Sequence, residues 1–433
     1  MIGMLYNDNK LKELSYSEQL TTIQKMKLVF GNGFSLALES LGHEVHDIIC
    51  DIPNLQFTWA RENNYKINNN NSWIAEISLE QIKSLKPDII FCHNIDPWES
   101  NIFMRLKLIC PSIKLISAYV GFPQLSYDRF SNVDLFFGGV PFITKDASDL
   151  GIKSYTMYQS FDTQILDQFP LSDNQPYERE SLDFVFSGGY DGHHRGRYYL
   201  LKELLDTTNL ECWLMETIDK EKPINNGNKK STGYLEKSQS KKQQWIDRLV
   251  KKTFKSSWSE VIQKLDSADL LNRLIQGLPM KSNINNFNEN DRSSSLEKLQ
   301  PISVTLKELF PNRVHAPVFG LEMYDLFERS KLILNNHVDE AKGFVGNMRL
   351  FEVTGMGTCL LSDNGYNMTE LFEENKEIVT YNTLDEAIEK SNYLLSNDIE
   401  RRNIAKAGQR KTLTEHSVYK RAEQMDGMLQ RML

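Results

Sequence analysis

Short apolar runs recur along the chain, separated by stretches whose apolar residues fall at helical spacing. In the first half the spacing predicts strands over Ile2–Tyr6, Glu44–Cys50, Asp88–His93, Leu115–Tyr119, Asp134–Gly138 and Ser154–Tyr158. Between them it predicts helices over Glu18–Phe30, Phe34–Leu41 and Leu79–Leu85, and one that closes over Leu106–Ile109. Strands alternating with helices indicate a mostly parallel, doubly wound α/β sheet. The polar, proline-bearing stretch Leu171–Glu180 (LSDNQPYERE) then reads as a linker.

After it the alternation starts afresh. A strand over Leu182–Phe186 leads through a glycine turn, Ser187-Gly188-Gly189, into a helix from Arg195 to Leu205. That is the opening of a nucleotide-binding half. Beyond Pro317 come a helix over Tyr324–Arg329, a strand over Lys331–Asn335, a helix over Met348–Thr354 and a strand over Thr358–Ser362. Thr369–Phe372, Asp385–Leu395 and Asp398–Gly408 read as helices and Ile378–Tyr381 as a strand; an amphipathic helix over Val418–Met432 ends the chain. Two domains follow, residues 1–175 and 181–415, with a terminal helical segment over 416–433.

Residues of about 216–301 interrupt the second domain. They are rich in Lys, Ser, Asn and Gln, carry helical pieces at Gln244–Lys252, Trp258–Leu265 and Ala268–Leu278, and read as a helical insertion. Its lysine run (KKQQWIDRLVKK) is explained most simply as a solvated helix face; contact with an anionic membrane is the alternative. The 58 acidic and 50 basic residues leave a formal charge of −8, which argues against a protein that coats nucleic acid. Five scattered cysteines without a CxxC pair, and no leader-like start, predict a cytoplasmic protein, with the inner face of the membrane as its alternative station.

The stretch from Ser330 to Tyr381 carries the chemistry. A strand ends in Asn335, Asn336 and His337, where open α/β sheets bind ligands. A glycine-containing loop follows, and Asn347 opens a helix whose free N–H groups favour phosphate. Arg349 is placed to add a bidentate phosphate contact, and Glu352, three residues on, to accept ribose hydroxyls. The plain alternative is an Arg349–Glu352 pair on the helix surface. His193 and His194, in GGYDGHHRGR beside the glycine turn, are candidate donor contacts or ordinary loop histidines.

NMRLFEVTGMGTCLLSD, MTELFEENKEIVTYNTLDEAIE and IAKAGQRKTLTEHSVYKR resemble the C-terminal segment of GT-B glycosyltransferases, in particular the group similar to the spore-maturation protein CgeB. SLEQIKSLKPDIIF, MYQSFD, FVFSGGYDGHHRGR and FGLEMYDLFERSKLILNNH extend the resemblance into both halves. It implies a GT-B fold, two Rossmann-like domains facing across a cleft, with the last helix crossing back to the N-terminal domain. It implies a nucleotide-sugar donor on the C-terminal domain and a glycan, lipid-linked or protein acceptor on the N-terminal one, in surface polysaccharide or glycoconjugate synthesis. Carried over, Glu352 is the ribose-binding carboxylate, Gly188 and Gly189 let the donor phosphates approach the backbone, and Arg195 and Arg197 are pyrophosphate partners. The Glu-x7-Glu pair of retaining relatives is missing: Phe344 stands where the first acid belongs, which leaves the stereochemistry open.

In the first half, His93 follows a buried strand, resembles the histidine that borders the acceptor cleft in many GT-B enzymes, and is suited to act as general base. Capping of the strand end is its plain alternative. Gly31-Asn32-Gly33 before a helix reads as a turn, or more remotely as a phosphate cradle. Trp59 and Trp98 read as core, with sugar stacking as the other use. No DxD stands beside the donor loop, so neither metal nor cofactor is expected; arginines and helix N-termini are left to balance the diphosphate charge. Two rivals share this plan: a sugar-nucleotide epimerase and a non-catalytic sugar-nucleotide-binding subunit.

Overall fold

The computed structural model describes residues 9–28, 31–67, 72–93, 102–124, 127, 130–169, 179–191, 194–218 and 302–432. The strand expected at Ile2–Tyr6, the linker up to residue 178, the three helical pieces and lysine run of the insertion, Trp98 and His193 lie outside them. The chain divides into one unit of residues 1–219 and 299–433 and a second of 220–298; all that is described below belongs to the first.

The N-terminal part opens with helices α1 (Asn9–Lys12), α2 (Tyr16–Lys25), α3 (Gly33–Ser40), α4 (Pro53–Glu62) and α5 (Trp73–Leu85). There follow β1 (Ile89–Cys92), α6 (Ile102–Ile109), β2 (Leu115–Val120), β3 (Leu135–Gly138), α7 (Pro141–Asp149) and β4 (Ser154–Thr156). The four strands pair in the order β1-β2-β3-β4, all parallel. β2 is buried at every position, so its sequence is apolar but for Ser117, whose hydroxyl donates to the Ile90 carbonyl, and shows no alternation. Helices α4 and α7 each start on a proline, Pro53 and Pro141, whose fixed φ and missing N–H suit a first helical turn.

The expected strand at Glu44–Cys50 is absent. Ile49 is buried, but against Ile23, Ile52 and Leu55 beside the helices, and no ladder forms there. Its alternation is satisfied by side-chain packing alone. β1 therefore stands at the sheet's edge among the described residues.

The second part contains β5 (Leu182–Tyr190), α8 (Arg195–Thr207), β6 (Leu210–Glu216), α9 (Leu306–Leu309), β7 (Val314–His315), α10 (Leu321–Glu328) and β8 (Ser330–Asn335). It continues with α11 (Met348–Gly355), β9 (Cys359–Asp363), α12 (Met368–Leu371), β10 (Val379–Tyr381), α13 (Leu384–Ser396) and α14 (Asp398–Glu415). Its six strands run in the order β10-β9-β8-β5-β6-β7, again parallel. The chain leaves β5 toward β6 on one side and later returns to place β8 on the other. The order thus reverses between β5 and β8, and the crevice at their carboxyl ends is where such sheets take ligands.

The chain crosses between the two parts twice, and the crossings are tied together. Phe161 N–H donates to the His416 carbonyl at 2.9 Å, and Val418 N–H donates to the Phe161 carbonyl at 3.0 Å. Phe161 itself is buried in the core of the second part, so close to α11 that a Cβ on Gly355 would lie 2.3 Å from its ring. The last helix, α15 (Val418–Leu429), then packs on the first part. Val418 and Ala422 meet Ala37 of α3, and Met425 and Leu429 meet Leu115 and Phe137. Two Rossmann-like domains joined by a returning helix are the GT-B plan that the resemblance implied.

Candidate functional site

Most residues singled out in the second domain do converge at the β5–β8 switch point, but not in the manner expected. Gly188 and Gly189 are not in a turn. β5 continues through them, with Gly188 opposite Leu214 and Gly189 opposite Met215. The strand outlasts its apolar run because β6 supplies ladder partners for four further residues, Ser187 to Tyr190, which no local pattern encodes. Gly189 is needed for that closeness: an added Cβ would lie 2.8 Å from the Met215 carbonyl oxygen.

The turn comes later. His194 precedes α8, its Nδ1 lying 2.7 Å from Asp191 Oδ1. Arg195 opens the helix and Arg197 reaches back across the crevice. From Arg197, Nη1 donates to the Gly189 carbonyl at 2.7 Å and Nη2 to the Asn336 carbonyl at 2.5 Å, with the guanidinium over the Phe186 ring. The side chain therefore clamps the ends of β5 and β8 together.

Asn335 and Asn347 face each other, the Asn347 Nδ2 donating to Asn335 Oδ1 at 2.8 Å. Asn347 also caps α11, as its position predicted: its Oδ1 accepts the Leu350 N–H at 3.4 Å. The opening N–H groups of α11 have no intrahelical acceptor. Asn336 lies in the same cluster, with Nδ2 3.5 Å from both Asp363 Oδ2 and the Tyr381 hydroxyl. Burial pushes the Tyr381 phenol far above its ordinary range, so it stays a neutral donor to the Asn335 carbonyl at 3.0 Å.

Asp363 is the organiser that the sequence reading passed over. Its carboxylate accepts the His337 N–H at 2.9 and 3.0 Å and approaches His337 Nδ1 at 2.7 Å. Gly346 N–H donates to His337 Nε2 at 3.3 Å. This network assigns the Nδ1–H tautomer, with Nε2 as acceptor. The available signal was its place at the end of a strand next to the one carrying Asn335–His337, but strand adjacency is a tertiary fact.

Arg349 and Glu352 share one location, though not an open one. Arg349 Nη1 donates to Glu352 Oε2 at 2.6 Å, and the side chains retain only 18% and 7% exposure. Arg349 Nη2 also donates to the Ser187 carbonyl at 3.1 Å, and its guanidinium lies over the Phe327 ring. The Tyr324 hydroxyl donates to Glu352 Oε1 at 3.4 Å, and burial, with Glu352 beside it, raises that phenol far above its usual range. The pair thus ties α11 to β5 and α10 inside the domain. In place of a surface pair the structure shows an ion pair between a half-buried Arg349 and a buried Glu352 behind the helix start. The cause is the aromatic wall of Tyr324 and Phe327, contributed by a separate helix.

The loop between β8 and α11 spans the gap to the first domain. A Cβ on Gly346 would lie 2.9 Å from Val140 Cγ1, and Phe344 packs against Phe142 at 5.6 Å and Tyr366 at 5.5 Å. Phe344 is thus an interdomain packing residue. Tyr158 donates from its hydroxyl to Glu370 at 2.9 Å and accepts from Asn367 at 3.1 Å, closing the same seam.

His93 stands at the carboxyl end of β1, its ring stacked on Tyr119 at 5.1 Å. The Tyr119 hydroxyl is next to Gly139, whose carbonyl is next to Gly346, so His93 belongs to the same interdomain seam. The side chain reaches solvent, yet protein crowds it at longer range, and this desolvation lowers its pKa below the ordinary imidazole value. Gly31-Asn32-Gly33 is no phosphate cradle. The Asp162 carboxylate occupies that place, 2.4 Å from where a Gly33 Cβ would be, and is paired with Lys27 at 2.8 Å.

Two cavities, of 270 Å³ beside α2, α3 and α5 and of 520 Å³ beside Trp213, contain none of the switch-point residues and not His93; Asn32 and Trp59 line the first. The convergence of polar groups at the switch point, rather than empty volume, marks the site. Among the described residues no group of three or more His, Cys, Asp or Glu side chains is placed to hold a metal ion.

Residues 297–427 match the glycosyl transferase-like family. The matched segment runs from before α9 to within α15 and so includes Asn335–His337, Asn347, Arg349, Glu352 and Asp363. None of the curated proteins matches the chain. Among solved structures it is similar to HepE of Anabaena in complex with UDP-glucose, at 12% identity and a TM-score of 0.48 over 87% of this chain and 88% of that one. A glycosyltransferase of Rickettsia africae gives 11% and 0.48 over 93% and 94%. AviGT4, a glycosyltransferase involved in avilamycin A biosynthesis, gives 11% and 0.46 over 92% and 87%. With likeness this distant, residue roles rest on the geometry above. Among the described residues no helix is long and apolar enough to cross a membrane.

Proposed function

We propose that the protein is a glycosyltransferase that takes its sugar from a nucleotide-diphosphate donor held at the carboxyl ends of β5 and β8. The observation that carries this reading is that the glycosyl transferase-like segment supplies the polar cluster and helix start on one side of a topological switch point. The opening N–H groups of α11, with Asn336 and His337 beside them, suit the donor's diphosphate. His194 and Arg195, at the start of α8, border the same crevice. Arg197, Arg349 and Glu352 act one step back, fixing β5, β8 and α11 so that the donor groups are held in place.

The acceptor hydroxyl approaches from the first domain beside His93. Desolvation by the surrounding protein keeps that imidazole neutral near pH 7, ready to take the hydroxyl proton as the acceptor oxygen bonds to the anomeric carbon. The bond from that carbon to the diphosphate breaks, and the leaving charge falls on the α11 helix start without a metal ion. A glycan, lipid-linked or protein acceptor in surface glycoconjugate synthesis, reached at the cytoplasmic side, completes the reading.

The test is a thermal-shift screen of the full chain against nucleoside diphosphates and their sugars. A ligand at about 100 times its Kd adds about 2.7 kcal/mol of stability. A shift with at least one of them, weakened in Asp363→Ala, is the expected result. Absence of any shift across the panel refutes donor binding, and turnover of a sugar nucleotide with no acceptor present reassigns the protein as an epimerase.

A further inference from the structure

The 270 Å³ cavity on the flank of the first domain has no part in the site described above. Three helices turn one stripe each toward it: Tyr16, Leu20 and Gln24 from α2, Ser35 and Glu39 from α3, and Gln81 and Ser84 from α5. Stripes at this spacing normally meet over an apolar core. Here they meet over polar groups, with Trp59 and Tyr16 as the ring-bearing walls.

Asp47 lies at the centre. It accepts from Ser35 Oγ at 2.5 Å and from Gln24 Nε2 at 2.8 Å, and no basic side chain pairs with it among the described residues. Gln81 is 2% exposed and donates to the Tyr16 hydroxyl at 3.2 Å, but its Oε1 has no partner. An unsatisfied buried acceptor is costly, and a hydroxyl donor relieves that cost. Burial, with Asp47 nearby, raises Tyr16 to about 12, so its phenol stays neutral.

These features select a ligand class. Carboxylates without Lys or Arg in the lining repel phosphates and nucleotides. Glu39, His46 and Asp47 form no metal-binding group. Carboxylate acceptors beside the Trp59 and Tyr16 rings fit a ring with hydroxyls on its edges and C–H groups on its face. We propose that this cavity is a second saccharide site, which takes one uncharged sugar ring away from the transfer crevice.

Saturation-transfer difference NMR on the full chain tests this, with methyl β-glucoside, methyl β-galactoside and N-acetylglucosamine as probes. Inorganic phosphate and methylammonium serve as charged controls in direct titrations followed by protein NMR shifts. At least one sugar is expected to give a signal that saturating UDP leaves unchanged. Ser84→Trp, a change at the exposed rim, is expected to abolish it with the thermal midpoint kept. Asp47→Ala is expected to weaken the apparent Kd at least tenfold; should that variant not fold, the rim variant decides alone. No sugar signal, a signal that survives Ser84→Trp or is lost to UDP, or binding of methylammonium or phosphate without the sugars overturns the proposal. Because donor binding is read separately by UDP, failure here leaves the transferase reading standing.

Discussion

Acid should loosen the joint between the two domains through one residue, His416. Its ring is buried between Phe351 and Phe372, with Nε2 2.9 Å from the Leu371 carbonyl and Nδ1 2.9 Å from Arg421 Nη2. Nε2 must therefore carry the proton and Nδ1 accept from the guanidinium. A second proton would set N–H against N–H and cation against cation. Burial, followed by the neighbouring Arg421, lowers the imidazole pKa from 6.5 to about 4. Arg421 in turn donates to the Tyr158 and Glu415 carbonyls, so the joint that holds α15 to both crossings depends on the neutral ring.

The folded-state pKa is below the unfolded one, so the unfolded chain takes up the proton first as pH falls. The stabilisation is complete above pH 6.5 and is lost progressively down to about 4. Over the whole window the shift corresponds to roughly 3 kcal/mol, and between pH 7 and pH 5 to about 2 kcal/mol. Urea unfolding midpoints at half-unit pH steps, for the wild type and His416→Gln, measure it. The variant starts less stable but should lose about 2 kcal/mol less over that interval. Parallel loss in both proteins would show that His416 is not the acid-sensitive group and refute the reasoning.

His93→Ala should lower transfer by about a hundredfold or more while donor affinity, read by thermal shift, stays put. In the wild type the acid limb of kcat should fall below the ordinary imidazole value, since the surrounding protein desolvates the ring and lowers its pKa; a limb at or above pH 7 counts against His93 as base. Asp363→Asn removes one of the acceptors that fix the His337 backbone and ring, so donor Kd should weaken about tenfold or more with the thermal midpoint of the free protein little changed. Arg349→Met leaves Glu352 buried without its cation and should cost roughly 3–5 kcal/mol in urea unfolding, more than Glu352→Gln. Equal effects from the two would mean that the pair is not buried in solution.

The alternation of apolar runs and helical stripes determined two parallel α/β domains, because burial on both faces requires largely apolar strands such as β2 and the Leu332–Leu334 run of β8. The cap at Asn347 was equally legible, since an N-cap is local chemistry. The helices starting at Pro53 and Pro141 were missed, although each proline stands where a helix can begin. Only the tertiary structure decided the rest. The Gly188-Gly189 segment is strand because β6 lies beside it, and the apolar Ile49 belongs to no strand because helices cover it. Asp363 gains its role from a neighbouring strand's end, 26 residues away in sequence. Arg349 and Glu352 are an internal tie because Tyr324 and Phe327 wall them in. Local pattern suggests most elements, but a neighbouring strand or helix decides where they end or fail; what a polar side chain faces is likewise set by residues distant in the chain.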